Sequence, residues 1–85
     1  VLTSEIRSLL ALAAQFDGRK VDDATTEAWR LVFELHVPDM TFAEAQVAVM
    51  AHYGDGSVWL MPNMVIERVR KRRAATHDNR TDRRD

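Results

Sequence analysis

Apolar residues in this chain recur in four stretches at the three-and-four spacing of a helix face, and capping or turn-forming residues bound each stretch. In the first, Ile6, Leu9, Leu10, Ala13 and Phe16 share one face, with Ser8, Ala11 and Gln15 opposite. Thr3 or Ser4 can cap its start, and Gly18 suits the left-handed conformation that closes a helix. Asp22-Asp23 announces a second helix, where a carboxylate can accept from free amides and oppose the positive end of the dipole. Its main stripe reads Ala24, Ala28, Leu31, Val32 and Leu35, and a second apolar flank carries Trp29 and Phe33 with His36 beside them. A helix with two apolar flanks is expected to touch two neighbours, or one neighbour and a partner.

Pro38 stops that helix, and Thr41-Phe42-Ala43-Glu44 matches the capping box, with Met40 placed to staple onto Ala45. In the third helix Phe42, Ala45, Ala48, Val49, His52 and Tyr53 form one face, while Ala43, Val47 and Met50 form another. A helix apolar nearly all round is expected at the centre of a bundle. Gly54-Asp55-Gly56-Ser57 reads as a turn. Val58-Trp59-Leu60-Met61-Pro62 then crosses to a last helix, with Pro62 at its first position and Val65, Ile66 and Val69 as a short stripe. The expectation is an all-α bundle of four short helices near 4–16, 23–36, 42–53 and 62–74. Residues 1–75 form one domain, and 76–85, which contain nothing apolar, form a disordered basic polar tail.

Charge divides the chain unevenly. Of its 12 basic and 13 acidic residues, 4 basic and 9 acidic lie in 1–66, and 8 basic and 4 acidic in 67–85, so an acidic body carries a basic end. The cations Arg68, Arg70, Lys71, Arg72 and Arg73, with Arg80, Arg83 and Arg84 beyond, are the candidate partner-binding residues. Around a helix, the first five point in almost every direction, which fits a solvated helix end, phosphate contact or an acidic protein partner. Trp29, Phe42, Trp59, Leu60, Met61 and Pro62 are the candidate structural corner, with Trp59, Leu60 and Met61 read as a lid over the bundle; the other reading leaves part of the corner, with Met61 and Met64, exposed as an adaptable apolar contact.

The absence of cysteine excludes a disulfide framework or a cysteine-ligated zinc, and fits a reducing compartment. His36, His52 and His77 are too dispersed to pair on one metal, and His52 reads as a cationic cap at a helix end. No serine sits in a nucleophile context, so neither a catalytic set, a metal nor a cofactor is expected. The longest apolar run, Leu9 to Ala14, is far short of a membrane span, and no basic segment precedes a long apolar one. A cytoplasmic protein is expected.

The order of Leu9-Leu10-Ala11-Leu12 with Phe16, Ala28-Trp29, Thr41-Phe42-Ala43-Glu44-Ala45, His52-Tyr53 and Trp59-Leu60-Met61-Pro62 resembles the small phage and prophage proteins that load and inhibit the replicative DNA helicase. That resemblance covers about 60 residues of the chain, through motifs that belong to the scaffold. It implies a helical body and a C-terminal segment, here Arg68 to Arg84, that engages the hexameric host helicase. Such a protein has no catalysis of its own; it holds the helicase inactive and escorts it to a phage initiator. A small DNA-binding regulator using the Arg-rich end, and an interaction module for another host protein, are the alternatives. The chain is expected as a monomer, or as a homodimer through the spare faces of helices 2 and 3.

Overall fold

Each of the four apolar stretches forms a helix: α1 (Thr3–Asp17), α2 (Asp23–His36), α3 (Phe42–Gly54) and α4 (Pro62–Arg84). The computed structural model describes residues 1–56 and 59–75 in full and the backbone course of 76–84. The expected polar tail over 76–85 therefore lies outside the fully described residues, as do Ser57 and Val58 of the α3–α4 connection.

Local chemistry sets the helix ends. Gly18 adopts φ 71° and ψ 17° and donates its amide to the Ala14 carbonyl at 2.9 Å, closing α1 in the left-handed cap. Asp22 accepts the Thr25 amide at 2.7 Å and so opens α2. At α3 the capping box is complete: the Glu44 amide donates to Thr41 Oγ1 at 3.2 Å, and the Thr41 amide to Glu44 Oε1 at 3.0 Å. The start of α1 differs from expectation. Neither Thr3 nor Ser4 caps it; the cap position falls on Leu2, whose side chain has no oxygen to offer, and Glu5 reaches back to accept the Leu2 amide at 2.8 Å.

The helices close a ring in the order α1, α2, α4, α3, each packing on two neighbours. Ile6, Leu9 and Leu10 of α1, Phe33 of α2, Val49 of α3 and Val65 and Val69 of α4 are buried at its centre, with Val37, Met40 and Leu60 contributed by connections. Each of the larger members stabilises the fold by about 1.5–3 kcal/mol relative to exposure.

Three expected faces are corrected. On α2 the buried side is Thr26, Trp29 and Phe33, whereas Ala24, Ala28, Leu31 and Leu35 lie exposed. Only Val32 of the expected main stripe packs, half-buried, against the core. On α3, Val47 and Met50 are exposed, since the helix has two neighbours and its second apolar face meets neither. Phe16 also leaves the core: it is half-exposed and stacks on Tyr53, ring centres 4.6 Å apart and planes 15° from parallel.

Candidate protein-interaction surface

At the corner where α1 ends and α4 begins, the chain alternates out, in, out: Trp59 is 52% exposed, Leu60 fully buried and Met61 44% exposed. Only Leu60 acts as the expected lid. What fixes the corner is Arg19, two residues past the end of α1. Its guanidinium lies 4.4 Å from the Trp59 ring centre and 5.4 Å from that of Trp29, and donates to the Leu60 carbonyl at 2.8 Å. It also grips Asp17 through Nε at 2.9 Å and a terminal nitrogen at 2.5 Å. The Arg19 and Asp17 side chains are only 5% and 6% exposed.

Asp17 further accepts the Tyr53 hydroxyl. Burial alone would raise the Asp17 pKa, but the bonds from Arg19 and Tyr53 outweigh it and hold the carboxyl at about 2. Burial and the adjacent carboxylate push the Tyr53 phenol up to about 12. A carboxylate at a helix C-terminus faces the negative end of the dipole and needs a nearby cation, which is the signal that Asp17-Gly18-Arg19 carries in the sequence. Reading that stretch only as a helix stop overlooks the network.

The structure disperses the candidate partner-binding cations. Arg68 pairs with Asp55 at 2.7 Å, Arg70 donates to the His36 carbonyl at 3.0 Å, and Arg73 clamps Glu44 at 2.6 and 2.7 Å and Asp39 at 3.1 Å. The Arg73 bonds, together with the Thr41 amide, draw the Glu44 pKa down to about 2. Lys71 and Arg72 are exposed, and Arg80, Arg83 and Arg84 lie outside the fully described residues. Phe42 is half-buried at the start of α3, the helix end away from Trp59, while Trp29 is buried and Pro62 opens α4.

Beside this stitching, α3 and α4 form an open groove of about 290 Å³. Val47, Ala48, Ala51 and Val69 line it together with the cations Arg68, Lys71 and Arg72 and with Glu44, which Arg73 already holds. Met50 is also exposed on α3. A second hollow, of about 640 Å³, is lined by His52, Asp55, Met64, Glu67, Arg68 and Lys71. His52 is not a cationic cap: it is 97% buried by its 3% exposure, its Nε2 has no partner, and burial followed by the Arg68 charge lowers its pKa. Among the described residues no group of three His, Cys, Asp or Glu is placed to hold a metal, and no helix is long and apolar enough to cross a membrane.

The fold and these surfaces define a small all-α bundle with apolar and cationic side chains exposed together. No protein-family model, curated protein or solved structure matches the chain.

Proposed function

We propose that this chain is a non-catalytic adaptor that binds a partner protein through the groove between α3 and α4. The observation that carries this reading is exposed Val47 in the groove beside Lys71, with Met50 exposed on the adjoining side of α3, since apolar side chains placed beside charge suit a partner helix with one apolar face and acidic flanks. The resemblance of the scaffold motifs to phage helicase loaders makes the host replicative helicase the first partner to test, with a phage initiator as the site of delivery. On this reading the adaptor binds stoichiometrically, restrains the helicase and releases it at an origin. The DNA-regulator alternative has less support, because Arg68, Arg70 and Arg73 are engaged with the chain's own acceptors.

The test is sedimentation and ATPase assay of the host helicase with the purified chain, in ATP and in ADP. Co-migration and altered ATPase are expected, both lost in Val47→Glu/Met50→Glu. A version lacking residues 76–85 separates the part played by Arg80, Arg83 and Arg84. Unchanged sedimentation and ATPase at tens of micromolar would exclude the helicase as partner. Retained binding by the double variant would exclude the groove.

A further inference from the structure

Near the end of α3 the His52 ring is only 3% exposed, stands edge-on to Tyr53 with centres 5.0 Å apart and planes at 88°, and meets no protein partner at Nε2. A buried neutral imidazole with an unmet nitrogen forfeits hydrogen bonding that water would supply, and a buried imidazolium would forfeit far more. The ring nonetheless borders an exit. It lines the hollow of about 640 Å³ between α3 and α4, whose other walls are Asp55, Met64, Glu67, Arg68 and Lys71.

Charge reaches the ring from both helices packed on α3 and from α3's own end. On the α1 side stand Asp17 and Arg19, but these are bound to each other, and Tyr53 donates to Asp17 as well. On the α4 side stand Glu67, Arg68 and Lys71. Burial and then Arg68 lower the His52 pKa, while Asp55 pulls it the other way. Asp55 caps α3 with its backbone still right-handed, at φ −81° and ψ −1°, three residues beyond His52. At that spacing two side chains of one helix can meet. The Asp55 carboxylate is held instead by Arg68, at 2.7 Å. This pair is open to solvent, with Asp55 63% and Arg68 31% exposed, so exchanging it for another pair takes little free energy.

We propose that His52 and Arg68 share Asp55 as a proton-operated switch. With the imidazole neutral, Arg68 holds the carboxylate. When the ring takes a proton from water it turns out of the interior into the hollow, replaces Arg68 on Asp55 and frees the guanidinium. Glu67, on the same hollow, offers the imidazolium a second carboxylate. The rest of the corner stays in place, because Asp17 and Glu44, both at about 2, remain ionised where an imidazole titrates. The Arg19–Asp17–Tyr53 network therefore pins one end of α3 and the Arg73 clamp on Glu44 pins the other. Arg68 also lines the α3–α4 groove, so its release raises the positive charge there. Tighter binding of an acidic-flanked helix in acid is a consequence that rests on the function proposed above, whereas the switch itself is measured without a partner.

Nuclear magnetic resonance of the full chain alone, followed downward from pH ~8, is the test. The ring protons of His52 and Tyr53 and the Arg68 Nε–H are expected to shift with one midpoint, below the ordinary ~6.5 of histidine, while the amide spectrum stays dispersed. Tyr53 is the sole tyrosine, so loss of its edge-on contact is read without overlap. In His52→Gln the Tyr53 and Arg68 responses are expected to vanish. In Asp55→Asn, which removes the shared acceptor, the proton affinity of His52 is expected to fall about tenfold and Arg68 to lose its response.

A histidine that is merely buried beside a charge would titrate with its Tyr53 contact intact, and that result would overturn the switch. So would an Arg68 response that survives in Asp55→Asn. A spectrum that collapses to that of an unfolded chain before His52 takes its proton, or as it does, would overturn it as well.

Discussion

Arg19 brings a flat, weakly hydrated cation into a slot between two indoles, and three of its five donor hydrogens are spent on the chain's own acceptors. Asp17 and the Leu60 carbonyl take its hydrogen bonds, and Trp29 and Trp59 cover its faces. Arg19→Ala is expected to lower the unfolding free energy by about 3–5 kcal/mol, because it strands a buried carboxylate as well as removing a contact. Arg19→Lys should fall between the two, as an ammonium keeps the charge but cannot make the fork; urea denaturation followed by tryptophan fluorescence would measure both. The same network sets a pH dependence. The folded Asp17 value of about 2 lies below its ordinary value near 4, so the unfolded chain takes up the proton first. This contribution, on the order of 2 kcal/mol, is fully present above pH ~5 and is lost as the pH falls toward 2. His52 acts earlier in the same direction: buried and neutral, it gives up stability as the pH drops through ~6.5, where the unfolded ring becomes charged. Acid titration of stability should therefore begin near neutrality, and that first phase should be absent in His52→Phe. Tyr53 is the sole tyrosine, so phenolate absorbance reads it alone; its midpoint should lie near 12 in the folded protein and return to ~10 in denaturant.

Helix ends were the most legible elements, because a cap is a local bargain between one side chain and two or three amides. Gly18, Asp22 and the Thr41–Glu44 box all act as their residue types require, and the cap at Leu2 escaped because only its return half, from Glu5, is present. Helix faces were less legible. On α2 two apolar stripes have the same periodicity, and the choice between them falls to size: Trp29 and Phe33 remove far more surface from water than Ala24 and Ala28 do. Thr26 can join them in the interior since its hydroxyl donates to the Asp22 carbonyl at 2.7 Å. At the start of α3 a third partner joins the cap, for Arg73 of α4 holds the same Glu44 that closes the box. Thr41→Ala is expected to cost about 1 kcal/mol. Arg73→Ala should cost a similar amount, about 1 kcal/mol, the pair being partly exposed. Since both act through Glu44, the double variant should lose less than the sum, and a double-mutant cycle by thermal or urea unfolding measures the coupling.

Across the molecule, the charge asymmetry read from the sequence turns out to be internal architecture. The cations of α4 land on the α2–α3 corner at Asp39, Glu44 and the His36 carbonyl, and on Asp55 beyond α3, so the basic end is stitched to the acidic body. Spacing along a chain says which charges lie close in sequence, and it is silent on which helices a ring of four brings together. The same ring explains the apolar surplus of α3. With two neighbours each, the helices bury one face and leave the other to solvent, so Val47 and Met50 are exposed although their helix reads as a central one. Packing and recognition should therefore separate by substitution. Leu60→Ala, at a fully buried position of the connector, is expected to cost about 2–5 kcal/mol and to weaken partner binding only through unfolding. Met50→Glu, at a half-exposed position, should change stability by no more than about 0.5 kcal/mol yet abolish co-sedimentation with the partner. Measured together by urea denaturation and sedimentation, the two variants should move along different axes; a Met50→Glu protein that binds normally would place the working surface elsewhere.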